Sequence, residues 1–337
     1  MKRYVIDGTF SIDGLRQEEC PVPRPGCGQV LVRIRAASLN YRDLLMVTGN
    51  YSRNLKLPLV PLSDGAGEVV EVGEGVSRWK AGDRVIPIFF QNWLAGGITP
   101  DIPASALGGA CDGVLQEYAL FGEEGLVALP HHLSFEEGAT LPCAGVSAWH
   151  CLYSGGLTCG ETVLVLGSGG VSVFALQLAR AAGARVIATS GSDAKAERLK
   201  DLGASEVINY RTDAAWEKRV LELTGGRGVD IVVEVGGAGT LAQSIKATRM
   251  GGHISLLGVL SGQRGEVNPL PAVMKGIRIQ GIYVGSREMF EAMNRVICLH
   301  AIRPVVDRVF PFSEVCQAFR HLESGAHVGK VVIALRP

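Results

Sequence analysis

Val163-Leu164-Val165-Leu166-Gly167-Ser168-Gly169-Gly170-Val171-Ser172 is the stretch that decides the fold. Four branched apolar residues run without a break, as in a parallel strand buried on both faces. A Gly-x-Gly turn follows at once, and a helix-compatible run continues over 171–182. Gly167 permits the tight turn, and Gly169 lets backbone come close to a pyrophosphate. Gly170 and Val171 then open a helix whose free amides and dipole favour phosphate charge. Ser172 stands where the motif has a third glycine for close helix–strand packing, and it is small enough to serve. A Gly-rich turn alone means little; set between a strand and a helix, it marks a dinucleotide phosphate site.

Working outward, strand and helix patterns alternate after residue 125. Strands are expected over 185–189, 206–209, 229–235, 253–257 and 277–282, with helices over 195–202, 214–223 and 240–250. With the strand at 162–166 this makes six, the count of a doubly wound, Rossmann-type parallel sheet. Before residue 125 the pattern is short β runs broken by Gly and Pro. Over 29–36, Val30, Val32 and Ile34 share one face and Arg33 and Arg35 the other. Further strands are expected over 67–72 and 84–88, with turns at Gly73-Glu74-Gly75 and Ala81-Gly82-Asp83. A helix over 313–322 and a strand over 331–334 return the tail to this β unit. The expected fold is therefore α/β, with a Rossmann domain at 125–285 and a mostly β domain assembled from 1–124 and 286–337.

Composition narrows the function classes. The 33 Lys and Arg balance 33 Asp and Glu, and no basic stripe stands out, so nucleic acid and anionic membranes are not expected partners. No 18-residue apolar run exists. The basic start Met1-Lys2-Arg3 lacks the apolar stretch of a secretory signal, which makes the cytosol the expected compartment. The eight cysteines form no CxxC pair and are expected as free thiols, most of them small buried groups.

The second strand's end bears on which dinucleotide binds. A site for NAD usually has Asp or Glu there, bonded to the ribose 2′-hydroxyl. Here Ser190 occupies that place, followed by Ser192 and Lys195, groups suited to a 2′-phosphate. Tyr210, after the third strand, can pack on the same phosphate. Asp193 is the counter-signal, since a carboxylate so near can serve ribose instead. The balance points to NADP(H).

Further segments carry a resemblance. Ser38-Leu39-Asn40-Tyr41-Arg42-Asp43, Pro61-Leu62-Ser63-Asp64-Gly65-Ala66-Gly67, Val72-Gly73-Glu74-Gly75-Val76, Gly82-Asp83-Arg84-Val85 and Leu141-Pro142-Cys143-Ala144-Gly145 join the phosphate turn. Together they resemble the medium-chain dehydrogenase/reductase superfamily, in its zinc-free, quinone-oxidoreductase-like branch. The resemblance implies a GroES-like β domain, a Rossmann domain, hydride transfer in a cleft between them, and a homodimer joined at the strand over 277–282. It also implies a Ser or Thr near the nicotinamide, at Ser147, and a cofactor-reaching segment at Gly329-Lys330. Val259 and Ser286, after the fifth and sixth strands, are the other expected nicotinamide-side residues, because ligands sit at carboxyl ends of strands.

In zinc-dependent relatives, Cys, His and a second Cys or His hold a catalytic metal. The matching positions are Asn40, Ser63 with Asp64, and Cys143. An amide, a hydroxyl and one thiol do not make the thiolate and imidazole set that zinc takes. The four close cysteines of a structural zinc lobe are also missing, since only Cys111 falls in 88–112. No metal is expected. Asn40, Tyr41 and Asp64 become the candidate catalytic residues, as orienting group, donor and proton relay; Arg42 is a weaker candidate, open to pairing with Asp43 or Asp64. The long segment over 88–112 is read as a lid, with Phe90 and Trp93 shaping an apolar pocket or packing the loop down. Three functions stay open: an NADPH-dependent quinone or enone reductase, an NAD(P)-dependent alcohol dehydrogenase, and a non-catalytic NADPH-binding protein.

Overall fold

A computed structural model describes residues 1–51, 55–262 and 264–335 of the 337-residue chain. The chain separates into two compact units, Met1–Val146 with Val284–Pro337, and Ser147–Tyr283.

The contiguous unit carries a six-stranded sheet. Its strands run in the order Glu206–Asn209, Arg185–Ser190, Thr162–Val165, Val229–Glu234, Thr248–Leu256 and Arg278–Gly281. All neighbours are parallel. The strand before the phosphate turn is central and fully buried, as its unbroken apolar run requires. The order reverses beside it, which is where doubly wound sheets bind nucleotides. Arg278–Gly281 forms one edge and is exposed throughout. The helix expected over 240–250 stops at Ala247, and Thr248 already begins the fifth strand.

The other unit is built on a seven-stranded sheet in the order Val306–Pro311, Lys330–Ala334, Gln29–Leu39, Asp64–Val72, Arg84–Pro87 and Leu126–Ala128, with Tyr118–Gly122 also paired to Gln29–Leu39. Val30, Val32 and Ile34 lie in its core, as the alternation requires. The first and last parts of the chain share this sheet, because Lys330–Ala334 pairs antiparallel with Gln29–Leu39. The unit extends to Val146 rather than ending at 124. Leu126–Ala128 pairs with Arg84–Pro87 and belongs to the same sheet, and three residues are too few to show a pattern from sequence. Among the described residues no helix is long and apolar enough to cross a membrane.

The expected burial of most cysteines does not hold. Cys151 is buried, but Cys27, Cys111, Cys159 and Cys298 are exposed and Cys20, Cys143 and Cys316 half-buried. Small apolar character permits burial without enforcing it.

At the strand ends opposite the phosphate turn, Asp230 ties three strands together. Its buried carboxylate accepts from Arg227 Nη1 and Nη2 at 3.0 and 2.6 Å, from Arg249 Nε at 2.5 Å and from Thr162 N at 2.9 Å. Burial pushes this carboxyl's pKa up, but the donors outweigh it and hold the value at about 2, below the ordinary 3.8. A depressed carboxylate stabilises above its unfolded pKa, and that stabilisation is lost as pH falls through the folded value. Asp230→Asn is expected to cost about 2 kcal/mol at pH 7. In denaturant titrations the gap from the parent should close as pH drops from 4 towards 2.

Candidate active site

In the contiguous unit, the phosphate turn has the predicted geometry. Gly167 has φ +76°, a left-handed conformation that disfavours any side chain. A Cβ added at Gly167 or Gly169 would meet nothing within 4 Å, so the space above the turn is open. Gly169 caps the helix Gly170–Ala181, whose first-turn amides have no partner within the helix. Val171 is half-buried on that turn. Ser172 is buried and donates to Leu166 O at 2.6 Å, fastening the helix to the strand end by a bond that no glycine could make. Thr189, which the sequence reading overlooked, holds the turn from the next strand by accepting from Gly167 N at 3.1 Å.

The residues expected near the ribose gather around one loop. Ser190 ends its strand, buried, with Oγ donating to Ser192 O at 3.0 Å and accepting from Ser192 N at 3.3 Å. Ser192 caps the helix Asp193–Asp201 by accepting from Lys195 N at 3.4 Å. The Tyr210 hydroxyl lies against Gly191, where an added Cβ would be 2.5 Å from it. Asp193, the counter-signal, is engaged: its Oδ1 accepts from Asn209 Nδ2 at 2.8 Å.

Another overlooked residue is Glu234. Its buried carboxylate takes bonds from Gly236 N at 2.8 Å, Gly237 N at 3.0 Å and Thr240 Oγ1 at 2.6 Å, and a fourth from Ser244 Oγ. It shapes the turn at a carboxyl strand end, beside which Gly258 and the exposed Val259 run. An acid closing an apolar strand just before Gly236-Gly237 was the available signal. Ser147 is buried at the start of this unit. Ser286 belongs to the other unit, where it is buried and caps the helix Arg287–Leu299 by accepting from Met289 N at 3.2 Å.

In that other unit two of the candidate catalytic residues, Asn40 and Asp64, belong to a buried polar group. Asn40 caps the helix Tyr41–Val47, and Asp43 Oδ2 accepts from Asn40 N at 2.8 Å. Tyr41 is 43% exposed. Asp64 starts the strand that pairs with Gln29–Leu39; it accepts from Ser63 Oγ at 2.6 Å and Cys143 N at 3.1 Å. Lys330, expected to reach the cofactor, has its ammonium enclosed in this group. It donates to Leu39 O at 2.6 Å and to Asn40 Oδ1, and lies 3.9 Å from Asp64 Oδ2. Pairing of Lys330–Ala334 with Gln29–Leu39 delivers it, a contact that sequence distance conceals.

Burial raises the Asp64 pKa against the pull of Lys330, and raises Asp43 to about 6 against Arg42. Burial, then the Asp64 charge, pushes the Cys143 thiol up, so it stays protonated at neutral pH. Asn40 Nδ2 is buried without a hydrogen-bond partner. Arg42 serves the 88–112 segment: Nη1 donates to Leu107 O at 2.8 Å, and the guanidinium lies 4.8 Å from the Phe89 ring centre. Asp43 is its ion-pair partner at 3.5 Å. Phe90 and Trp93 are buried, and Trp93 Nε1 donates to Gly96 O at 3.0 Å, so both pack the loop down.

Residues 26–131 match the family model of the alcohol dehydrogenase GroES-like domain, and residues 170–297 that of the zinc-binding dehydrogenase. A zinc-type alcohol dehydrogenase-like protein of Schizosaccharomyces pombe is 46% identical, with 99% of each chain covered. The chain belongs to the medium-chain dehydrogenase/reductase superfamily. A quinone oxidoreductase of Lama guanicoe is 32% identical, over 95% of this chain and 93% of its own. A solved NAD-dependent alcohol dehydrogenase matches at TM-score 0.91 and 36% identity, covering 100% of both chains. This superfamily member is thus an oxidoreductase with a nicotinamide-nucleotide-dependent dehydrogenase fold, and its two units are the GroES-like and Rossmann domains.

Removing the cation from the buried group leaves Asp64 without its counter-charge. Lys330→Met is expected to lower unfolding stability by about 3–5 kcal/mol. Adding Asp64→Asn should restore part of that loss in equilibrium denaturation.

Proposed function

We propose that this oxidoreductase reduces a quinone or an α,β-unsaturated carbonyl with hydride from NADPH, without zinc. The group around Lys330 carries this reading. At the positions where the sequence resemblance places metal ligands, the Asn40 amide oxygen already accepts from an ammonium. Ser63 donates its hydroxyl proton to Asp64, and Cys143 is held as a thiol. Zinc takes thiolate, imidazole or carboxylate, and of these the group offers one acid already committed to three neighbours. The residues do not fit the metal.

NADPH, when bound, supplies the hydride. Gly167, Gly169, Gly170 and Val171 would receive its pyrophosphate on open backbone and a helix start. Ser190, Ser192, Lys195 and Tyr210 form the 2′-phosphate side, with Asp193 already bonded to Asn209. Ser147 and Val259 are assigned to the nicotinamide side. The buried Asn40 side-chain amide Nδ2 and the exposed Tyr41 hydroxyl are donors for an oxygen that gains negative charge as hydride arrives. Asp64, whose burial favours its protonated form, is the proton reserve. The assembly we infer is a homodimer through the exposed edge Arg278–Gly281, near which Val273 and Met274 are 73% and 71% exposed.

The second reading, an NAD-dependent alcohol dehydrogenase, is favoured by the name of the structure at TM-score 0.91. NADPH and NADH oxidation with 1,4-benzoquinone, an enone and a ketone, first in chelator and then with added zinc, separates the two. Quinone or enone turnover in chelator is expected. Ketone reduction that requires zinc would overturn the proposal, and so would the absence of any turnover. Ser190→Asp should shift the kcat/KM ratio of NADPH over NADH at least tenfold towards NADH, since a carboxylate repels the 2′-phosphate. An unchanged ratio would remove that loop from coenzyme selection.

A further inference from the structure

His131, His132 and Cys298 come together from distant parts of the GroES-like domain. One imidazole nitrogen from each histidine and the Cys298 sulfur lie within 4.8 Å of one another. The histidines sit in the turn after the strand Leu126–Ala128, and Cys298 in the last turn of the helix Arg287–Leu299. Their ring centres are 5.5 Å apart. No part of the phosphate turn, the ribose loop or the Lys330 group uses these residues. They are also separate from Asn40, Ser63 and Cys143, and from the 88–112 segment, where the resemblance would place metals.

We propose that His131, His132 and Cys298 form a surface site for a thiophilic transition-metal ion, with zinc(II) the reference ion. Two imidazoles and a thiolate are the donors that zinc prefers, and calcium and magnesium take oxygen instead. Bond lengths of about 2.0–2.1 Å to nitrogen and 2.3 Å to sulfur put ligand atoms of a tetrahedral site roughly 3.3–3.6 Å apart. The present spacing is wider by little more than 1 Å, within reach of side-chain rotation at two exposed residues and one half-exposed one.

The support around the turn is already in place. His132 Nε2 lies 3.2 Å from Ile302 O, and a carbonyl only accepts, so Nε2 carries the proton and Nδ1 keeps the lone pair. In the neutral ring this makes Nδ1 the available ligand atom, and a hydrogen bond from the non-ligating nitrogen orients metal-binding histidines and raises their basicity. Arg84 holds the same turn from the sheet: its guanidinium donates to His131 O at 3.4 Å and Leu133 O at 2.6 Å, while stacking 4.7 Å from the Phe135 ring centre. The backbone is thus fixed while the ligand side chains stay accessible. Three protein ligands leave a fourth position to water or an exogenous donor.

Zinc titration of chelator-stripped protein against a chromophoric competitor tests the site, with cobalt(II) as the spectroscopic probe. One zinc per chain at micromolar affinity or tighter is expected, together with a thiolate-to-cobalt charge-transfer band and a higher Tm with zinc. Cys298→Ser should abolish the band and weaken zinc at least tenfold, and His131→Ala should weaken it similarly. Both variants should keep the chelator-treated activity of the parent. Equal zinc affinity in parent and Cys298→Ser, or a cobalt complex without the thiolate band, would overturn the proposal. Loss of zinc in Cys143→Ser but not in Cys298→Ser would also overturn it, and would separately overturn the zinc-free reading of the catalytic group.

Discussion

A single ammonium organises the GroES-like domain's interior. Lys330 stands in a buried pocket of polar groups, where an unpaired charge would be costly. Its bonds to Leu39 O and Asn40 Oδ1 fix the junction between the long strand Gln29–Leu39 and the helix Tyr41–Val47. Its charge offsets Asp64, which in turn holds Ser63 and the Cys143 amide. Each neighbour is oriented by the next, so the candidate catalytic residues inherit their positions from a side chain near the far end of the sequence.

The Rossmann domain solves a different problem, presenting backbone to a large anion without filling the space with side chains. Gly167 and Gly169 leave the approach open, while Ser172 and Thr189 hold the turn from behind. Glu234 does the equivalent work at a neighbouring strand end, where four neutral donors satisfy its charge without any cation. A rigid rim of this kind orders the site before any ligand arrives, and so lowers the entropy lost on binding.

How much of this was legible in the sequence depended on how local each signal was. The six parallel strands and the phosphate turn were readable because alternation, glycine punctuation and apolar runs act over a few residues. That Ser190, Ser192 and Lys195 gather around one loop was readable because they are neighbours in the chain. The role of Lys330 was not, because its partners are about 290 residues away and depend on strand pairing. Ser286 was read as a strand-end ligand residue, and its part in capping the helix that follows was not visible in the sequence. Phe90 and Trp93 fit a lid and a packed loop equally well from composition, and burial decided for packing.

The shared sheet has a consequence for how the chain is made. On a ribosome the strand Gln29–Leu39 emerges early, yet its neighbour Lys330–Ala334 follows about 290 residues later. Until then the GroES-like sheet is two strands short, lacking Val306–Pro311 and Lys330–Ala334, and Asp64 awaits its counter-charge. The Rossmann domain, drawn from one continuous stretch, is complete while the nascent chain still lacks its tail. The order of assembly is thus set by topology: the nucleotide-binding half can mature first, and the half holding Asn40 and Asp64 closes only after Lys330–Ala334 has emerged.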